Sequence, residues 1–441
     1  MFISRYSFFV KIDDSHALLI NGLTGEHFLL DNQERETFER WKNQGVTSAE
    51  NPTFACQLMK HYFVFSTIDE EEQLEAITLK QAKENYNTIR NKTDAATLVL
   101  SYDCNFNCPY CYEKSEAKSK SFVPLSIEQV DSIFNLYGNS LKYITLYGGE
   151  PLLFTNEKVI RYILEKKPDA MYSIITNGYN LLYFLPLFEN VNLGKVMITI
   201  DGEEDFHNKT RKLRDSKQGT FSLIEKGIDV ALQKGISIKI RMNITKENIS
   251  SCLHYRERMK EQYHSFFKNG QLSFELQPLF QTNAKERDYL NDQLLPIPVE
   301  GATNRYDNLM SQKTSRVLQP IFSKKPFSPL FCACNAEMNT RFYDGNGLIY
   351  SCALSLGNPK GAIGSYYPKL NYRTSGYLFR NIESLPKCQI CVYKFLCGGG
   401  CANAVMDQQG NCLYSNCTQI QYELAHTIPD IYRKIIGAYN I

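Results

Sequence analysis

The chain has 441 residues, a length that corresponds to about two to four domains. It is 43% hydrophobic, 12% aromatic and 22% charged, which excludes an intrinsically disordered chain. The formal net charge of +2 gives no overall attraction to nucleic acid or to an acidic membrane, and no apolar run reaches the roughly 18 residues that a membrane span needs. We therefore expect neither nucleic acid nor a membrane among its partners.

The first residues contain no apolar run long enough for a secretory signal, because Asp13 and Asp14 soon follow the hydrophobic start. We therefore expect a cytoplasmic protein. Its fourteen cysteines are unusual there, since a reducing compartment disfavours disulfides, and clustered cysteines more often bind metal or perform chemistry. Cys56 and Cys252 stand alone, and we expect both to be small buried hydrophobic residues.

Residues 1–92 begin with short alternating runs that predict strands, and charged helices follow them. The predicted strands are Tyr6–Ile12, His16–Ile20 and His27–Leu30. The first helix starts at Asn32 and carries Phe38 and Trp41, whereas the second spans Glu70–Arg90. This pattern predicts a small N-terminal domain over residues 1–92.

Residues 93–285 alternate between strand and helix patterns. The predicted strands are Thr97–Tyr102, Tyr143–Tyr147, Tyr172–Thr176, Val196–Asp201, Ile236–Asn243 and Leu272–Pro278. After the first of them, Ser126 and Gln129 predict a capping box, and Gly138 predicts the end of that helix. Six strand–helix units predict an α/β fold with a parallel sheet and right-handed crossovers. The pattern leaves open whether this sheet curls into an open barrel.

Three cysteines follow the first strand with the spacing Cys104-x3-Cys108-x2-Cys111. A loop at the carboxyl end of a parallel strand is where α/β proteins place their active sites. Three thiolates are one fewer than a closed iron–sulfur cube or a structural zinc site requires, so a cube held here keeps one iron open for a small molecule. The alternative is a zinc loop that a distant cysteine or histidine completes.

Polar and small residues mark the ends of the later strands. The second strand ends in Gly148-Gly149-Glu150-Pro151, where two glycines allow close approach to the backbone and Glu150 can accept a hydrogen bond from an ammonium group. Thr199 ends the fourth strand, and Arg241 lies in the fifth. Since parallel strands end at one edge of a sheet, the glycine turn and Glu150 predict a site shared with the cysteine loop.

The CxxxCxxC motif after the first strand and the GGEP motif after the second resemble the signatures of the radical S-adenosylmethionine (SAM) superfamily. The resemblance covers residues 95–280 and implies a partial (β/α)6 TIM-like barrel. It also implies that Cys104, Cys108 and Cys111 hold a [4Fe–4S] cube whose open iron chelates SAM. The residues implied to contact SAM are Tyr110 near the adenine, Gly148, Gly149 and Glu150 at the amino group, and Thr199 and Arg241 as further polar contacts.

This resemblance also implies the chemistry of the three cysteines, which makes them the expected catalytic group. One electron from the reduced cube breaks a carbon–sulfur bond of the sulfonium, and a flavodoxin- or ferredoxin-type protein supplies that electron. The product is a 5′-deoxyadenosyl radical, which takes hydrogen from an unactivated carbon.

Residues 286–325 are rich in proline and predict a bridge, and residues 326–441 contain nine cysteines but little helical pattern before Cys417. The spacing in the second part is Cys388-x2-Cys391-x5-Cys397-x3-Cys401, with Cys332 and Cys334-x12-Gly347-x4-Cys352 upstream and Cys412 and Cys417 downstream. Thiolate sets of this kind suit either iron–sulfur clusters or zinc sites that only stabilise a small domain.

The cysteine spacing of residues 330–420 resembles the SPASM extension of radical SAM enzymes, which implies two auxiliary [4Fe–4S] clusters and three clusters in all. The resemblance assigns Cys334, Cys352 and Cys401 to the first auxiliary cluster, and Cys332 either completes that cluster or leaves it open to substrate. It assigns Cys388, Cys391, Cys397 and Cys417 to the second, with Cys412 as a competitor for the last position.

Enzymes of this type typically modify peptides, so the resemblance implies a maturase that crosslinks a ribosomally made precursor peptide. Residues 1–92 resemble winged-helix-like domains that hold a leader peptide as an added strand. The first alternative is an anaerobic sulfatase-maturing enzyme, but Cys352 is followed by Ala353 and Leu354 where such enzymes usually carry an acidic residue. The second alternative is a zinc-stapled binding protein without activity.

Overall fold

The computed structural model describes residues 1–90, 94–111, 113, 123–279, 326–333, 341–373, 376–429 and 432–433. The chain forms two compact units. The first comprises Met1–Arg90, Asn291–Asn335 and Gly376–Ile441, and the second comprises Asn91–Leu290 and Ala336–Ser375. The expected bridge, residues 286–325, lies outside the described residues. The division into four consecutive domains stays a prediction.

The N-terminal part of the first unit contains five strands and three helices. They are β1 (Phe2–Ile3), β2 (Ser7–Lys11), β3 (His16–Asn21), β4 (His27–Asp31), α1 (Asn32–Gln44), α2 (Pro52–Lys60), β5 (Val64–Phe65) and α3 (Ile68–Arg90). Strands β2, β3 and β4 form an antiparallel sheet in that order, and β1 pairs with β5. The Asp31 carboxylate caps α1, which begins at Asn32 as predicted, and Phe38 and Trp41 of that helix are buried.

The remaining part of the first unit contains short helices between cysteines. They are α11 (Gly376–Phe379), α12 (Pro386–Gln389), α13 (Lys394–Cys397), α14 (Ala402–Gln409), α15 (Thr418–Tyr422) and a π-helix, Glu423–Thr427. Before Cys417 the described residues of this part contain only four short α-helices, in keeping with the expectation of little helix, but the positions of these helices were not predicted. Helices of four residues show no periodicity by which a sequence pattern can reveal them.

The two parts of the first unit share a hydrophobic core. Phe8 of β2 packs edge-on against Tyr393, with their ring centroids 4.6 Å apart. The residues buried in this cluster are Phe8, Val10, Ile12, Leu18, Ile20, Leu396, Ile420, Ile428 and Tyr432. The opposite face of the sheet packs on α1 and α2 through Leu19 and Leu30. Both faces of the N-terminal sheet are therefore covered.

The second unit contains one ten-stranded sheet. Its strands are β6 (Ala95–Val99), β7 (Tyr143–Tyr147), β8 (Met171–Thr176), β9 (Asn192–Thr199), β10 (Ile238–Ile244), β11 (Leu272–Pro278), β12 (Phe342–Asp344), β13 (Leu348–Tyr350), β14 (Gly364–Ser365) and β15 (Asn371–Tyr372). The order is β11-β10-β9-β8-β7-β6-β12-β13-β14-β15. Strands β6 to β11 are parallel, which confirms the predicted α/β fold. Strand β12 occupies the far edge of β6, so the sheet does not close on itself within the described residues.

Helices lie between the parallel strands. They are α4 (Ile127–Tyr137), α5 (Glu157–Lys166), α6 (Leu181–Phe184), α7 (Glu204–Thr210), α8 (Phe221–Gln233), α9 (Ile249–Gln262) and α10 (His264–Lys268). The 3-10 helices of this unit are Gly138–Ser140, Phe154–Asn156, Leu185–Phe188, Ala353–Ser355 and Pro359–Gly361. The predicted capping box of Ser126 and Gln129 is present at the start of α4.

The parallel strands have one apolar face and one polar face. Side chains on the apolar face, such as Leu146, Ile174 and Ile240, are fully buried. The other face is half-buried and carries Thr145, Ser173, Lys195, Thr199, Lys239, Arg241, Asn243, Glu275 and Gln277. Such a polar face is suited to binding a polar ligand. No helix among the described residues is long and apolar enough to cross a membrane.

Candidate active site

The cysteine loop after β6 is held in place by the segment after α7. Phe106 and Leu213 form an isolated antiparallel bridge. The Asn107 amide donates to the Lys212 carbonyl at 2.8 Å, and the Arg214 amide donates to the Asn105 carbonyl at 2.8 Å. The loop that carries Cys104, Cys108 and Cys111 is thus tied to a second connection of the same sheet.

The two glycines after β7 allow this loop to pack against the turn. A Cβ atom on Gly148 would lie 2.2 Å from the Ser101 carbonyl oxygen, and one on Gly149 would lie 2.4 Å from that of Asp103. Gly148 also has a φ of 144°, which favours glycine. The backbone that approaches these glycines is therefore that of the cysteine loop itself.

Glu150 connects the ends of β7 and β8. Its side chain is fully buried and accepts from the Leu152 amide at 2.8 Å, the Thr176 hydroxyl at 2.6 Å and the Asn177 amide at 2.7 Å. Burial raises the pKa of this carboxyl, and these three hydrogen bonds oppose that effect. These contacts fix the strand ends relative to each other.

A buried charged cluster lies beside the cysteine loop and consists of Tyr110, Asp201, His207 and Arg211. The Tyr110 hydroxyl donates to Asp201, and an Arg211 Nη1 donates to the Tyr110 hydroxyl at 2.8 Å. One oxygen of Asp201, the Nε of Arg211 and the Nε2 of His207 have no hydrogen-bond partner within the described residues. Burial raises the pKa of Asp201 and lowers that of His207.

The Cys104 thiol lies within the field of this cluster. Burial and, after it, the charge of Glu150 raise the pKa of Cys104 to about 12, whereas Arg211 acts in the opposite direction. Cys108 and Tyr110 in turn raise the pKa of Arg211. Arg211 is therefore a buried cation close to two thiols, and its charge opposes the rise in the pKa of Cys104. The Asn177 amide also approaches the Cys104 sulfur at 3.9 Å.

Thr199 and Arg241 are neighbours on the polar face of the sheet, where their Cα atoms pair in register between β9 and β10. Arg241 forms no ion pair with any residue that the structure describes. By contrast, Lys239 on the same strand binds Glu275 at 2.7 Å. Arg241 is consequently available for an anionic ligand.

Four cysteines of the first unit form a second set. Burial raises the pKa of Cys388 to about 11, and nearby Cys391 and Cys417 add to this effect. Burial also raises the pKa of Cys397 to about 12, and Cys388, Cys417 and Cys391 again contribute. These four thiols thus act on one another's pKa, and their role as ligands of the second auxiliary cluster stays a prediction. The Cys412 backbone carbonyl accepts from the Arg380 Nε at 2.8 Å, and the choice between Cys412 and Cys417 as the last ligand stays a prediction.

The expected ligands of the first auxiliary cluster are only partly described. Cys334 lies outside the described residues. Cys352 follows β13 in the second unit, whereas Cys332 and Cys401 belong to the first. Cys332 acts on the pKa of Cys388, so it lies near the second set. This ligand set stays a prediction.

The comparisons with known proteins identify the parallel part of the second unit. Residues 98–258 match the family model of the Radical SAM superfamily. The chain carries a radical SAM domain. This family implies a [4Fe–4S] cluster and SAM as cofactors.

Sequence relatives of this radical SAM domain fall into two groups. A GTP 3′,8-cyclase of Sulfurovum sp. is 31% identical over 157 residues, which are 34% of this chain and 45% of that protein. The chain thus spans less than half the length of the first curated relatives that it matches. The radical SAM cyclopropyl synthase TigE of Paramaledivibacter caminithermalis is 21% identical over 94% of this chain and 92% of that protein.

Solved structures share the fold of most of the chain. The structure of anSMEcpe with bound AdoMet has a TM-score of 0.53 at 18% identity, and the match covers 78% of this chain and 99% of that one. SuiB of Streptococcus suis has a TM-score of 0.50 at 14% identity, with 94% of this chain and 99% of that chain covered. These two matches show a shared fold.

The residues around Cys104 in the radical SAM domain fit an iron–sulfur cube. Three thiols lie on one loop, and a buried guanidinium beside them can offset the charge of thiolates. In the described part of the chain, no three His, Cys, Asp or Glu side chains converge to hold a single metal ion. A cube spreads its cysteines over different irons, so it does not need such convergence.

Sequence reasoning missed Asp201 and Arg211 as parts of the radical SAM site and missed Arg380 beside the second cysteine set. The sequence places Asp201 at the end of the fourth predicted strand, before Gly202, but gives no sign of its buried contacts. Arg211 lies 101 residues after Tyr110, its hydrogen-bond partner. The one local signal was a histidine and an arginine four residues apart after a strand end, His207 and Arg211.

The two lone cysteines differ in exposure. Cys252 is buried as expected, but Cys56 is exposed on α2 because it faces away from that helix's apolar side.

Proposed function

We propose that the chain is a radical SAM peptide maturase that installs a crosslink, either a thioether or a carbon–carbon bond, or a related modification in a ribosomally made precursor peptide. The observation that carries this proposal is the alignment with the cyclopropyl synthase TigE, which extends over 94% of the chain. It includes the N-terminal sheet and the cysteine-rich segment, whereas the GTP cyclase in the first comparison aligns with only 34% of the chain.

In this proposal Cys104, Cys108 and Cys111 hold the SAM-binding cluster. When bound, this cluster supplies the electron that cleaves SAM to a 5′-deoxyadenosyl radical. Arg211 offsets the negative charge of the thiolates, and Tyr110 connects the loop to the buried carboxylate of Asp201.

The polar face of the sheet orients SAM. Arg241 binds its carboxylate, and Thr199 beside it supplies a further polar contact. Gly148 and Gly149 keep the cysteine loop against the strand ends, and Glu150 fixes β7 relative to β8 near the expected amino group. The apolar face behind these residues keeps water out of the sheet.

The peptide partner would bind in two places. The leader would add a strand to the N-terminal sheet, since β2 and β4 each pair with one strand only among the described residues. The modified segment would enter the polar face of the radical SAM domain. A structure of anSMEcpe, which shares the fold, contains AdoMet together with a peptide. A flavodoxin- or ferredoxin-type protein would supply electrons.

The test uses the full chain, purified and reconstituted without oxygen. With dithionite, we expect it to convert SAM to 5′-deoxyadenosine and to change the mass of a short peptide encoded beside its gene. Cys104→Ala should abolish the formation of 5′-deoxyadenosine, whereas the exposed Cys56→Ala should leave it unchanged. SAM cleavage in Cys104→Ala at the rate of the unsubstituted protein would refute the proposal.

A second candidate is oxidation of a cysteine or serine in a sulfatase, which the structural match to anSMEcpe favours. Ala353, which follows Cys352 in a 3-10 helix, supplies no base there. The two candidates differ in their products. Loss of two hydrogens between two linked residues supports the maturase, and an aldehyde that reacts with hydrazine supports the alternative.

A further inference from the structure

Arg380 is a buried cation in the cysteine-rich part of the first unit. It directly follows α11, and only 1% of its surface is exposed. Its Nε donates to the Cys412 carbonyl at 2.8 Å. Its Nη2 donates to two carbonyls, that of Gly399 at 2.5 Å and that of Tyr414 at 3.0 Å. The other terminal nitrogen, Nη1, has no hydrogen-bond partner among the described residues.

No carboxylate of the described residues compensates this charge. Lys394, the other buried cation of the cysteine-rich segment, differs because it binds the carboxylate of Glu75. Arg380 contacts neutral carbonyl groups alone. Burial of an unpaired charge is costly, and hydrogen bonds to carbonyls offset only part of that cost. Among the described residues, Arg380 thus has no carboxylate to balance its charge.

The second cysteine set can supply an anion. Two of the carbonyls that Arg380 binds, those of Gly399 and Tyr414, lie two residues after Cys397 and three before Cys417. Gly399 also has no room for a Cβ, which would lie 3.1 Å from Nη1. Arg380 thus connects the segments that carry three of the four cysteines.

We propose that Arg380 is the counter-charge and positioning residue of an iron–sulfur cluster held by Cys388, Cys391, Cys397 and Cys417. This inference rests on the proposed function, which assigns a cluster to these cysteines. A cube with four thiolate ligands is negatively charged, and its reduction adds another negative charge. A fixed cation beside it stabilises the reduced form more and therefore raises the reduction potential. The guanidinium also holds the two ligand segments through their carbonyls.

The experiment compares Arg380→Met with Arg380→Lys in the full chain after anaerobic reconstitution. Iron content and redox titrations monitored by electron paramagnetic resonance are the two readouts. A variant with alanine at Cys104, Cys108 and Cys111 identifies the signals that do not come from the first cluster. The control is the double substitution Lys83→Gln and Glu383→Gln, which removes an exposed ion pair of the same unit.

We expect Arg380→Met either to lose the iron of one cluster or to retain it with a more negative midpoint potential. Arg380→Lys, which keeps the charge, should recover iron content, and the control should keep the potential of the unsubstituted protein. Unchanged iron and potential in Arg380→Met would overturn the inference. Equal iron loss in the Met and Lys variants would overturn the counter-charge role, because the loss would then follow the hydrogen bonds and not the charge. Absence of auxiliary clusters from the unsubstituted protein would instead contradict the proposed function.

Discussion

Arg211 is linked to the Asp201 carboxylate through the Tyr110 hydroxyl, and its charge lies near the thiols of Cys104 and Cys108. The side chains of Asp201 and Arg211 are both buried, and Tyr110 lies between them. Removing one member of a buried charged pair is far more costly than removing an exposed ion pair, because the remaining charge has no solvent around it. The stability of the radical SAM site therefore depends on single residues.

Arg211→Gln should lower the free energy of unfolding by about 3 kcal/mol, since it leaves the Asp201 carboxylate buried without its cation. The matched control is Arg214→Gln. Arg214 lies on the same segment and pairs with Asp103 at 2.8 Å, but both side chains are about half exposed. Its loss should cost at most about 1 kcal/mol. Urea titration of both variants measures the difference, and equal losses would contradict the assigned role of Arg211.

His207 should make the folded protein sensitive to acid. Burial, followed by the charge of Arg211, lowers its pKa well below the ordinary value of 6.5. The unfolded chain binds a proton at His207 near pH 6.5, whereas the folded chain resists it, so stability falls as the pH drops below that value. The slope from this one group is at most about 1.4 kcal/mol per pH unit.

His207→Asn should flatten this decline in unfolding free energy between about pH 6.5 and pH 5. The control is His254→Asn. His254 is exposed on α9 and pairs with Glu203, which precedes α7. Thermal unfolding at several pH values compares the two variants with the unsubstituted protein. An unchanged decline in His207→Asn would show that other groups cause the acid sensitivity.

At the scale of the element, loops and not strands determine the site. The strands show regular alternation, and the predicted starts and ends of β7 and β11 agree with the structure. The cysteine loop is fixed from two sides, by the glycine turn after β7 and by the segment after α7. A change in either support should therefore move the thiols without unfolding the sheet.

Gly148→Ala should displace the cysteine loop, because its Cβ would lie 2.2 Å from the Ser101 carbonyl oxygen. We expect a loss of about 2 kcal/mol in stability and a clear loss of iron at the first cluster. Gly235→Ala is the control, since Gly235 has a φ of 81° but an added Cβ would have no neighbouring atom within 4 Å. It should cost about 1 kcal/mol and retain full iron. Iron analysis decides between these outcomes.

The sequence predicts regular elements well and long-range polar contacts poorly. Alternation reveals β6 to β11, and the three-cysteine spacing reveals the loop, because both are local patterns. Nothing local marks Arg380, whose carbonyl partners lie 19 to 34 residues later in the chain. The burial of Glu150 was likewise hidden, since its partners come from the next strand.

At the scale of the whole molecule, the N-terminal sheet and the cysteine-rich segment belong to the same compact unit. Phe8 and Phe9 are adjacent but serve different cores. Phe8 packs against Tyr393 beside the second cysteine set, whereas Phe9 packs edge-on against Phe38 of α1. The proposed leader-binding sheet is therefore stabilised by the segment that carries the cysteines.

Phe8→Ala and Phe9→Ala should both destabilise the chain, with about 3 kcal/mol for the buried Phe8. Only Phe8→Ala should also weaken retention of the second auxiliary cluster, because it removes packing next to Cys397 and Cys417. Chelator-induced iron release measures this difference. Equal rates of release from the two variants would contradict the coupling.

Three clusters should give about twelve irons per chain, and the alanine variant of Cys104, Cys108 and Cys111 should keep about eight. The control is Cys252→Ala, which removes a buried cysteine outside all the sets. A colourless protein with two or three zinc ions would instead support a binding protein without activity.

The hairpin of β12 and β13 has a consequence for the evolution of the chain. Strand β12 pairs with β6 from Phe342 and Thr97 onward, and Cys352 follows two residues after β13. Gly345 and Gly347 leave no space in the turn, where added Cβ atoms would lie 2.1 and 2.4 Å from carbonyl oxygens. An insertion of one residue there would rotate Cys352 to the other side of the sheet. Among natural homologues, length variation should consequently spare this turn and accumulate in connections that carry no cysteine.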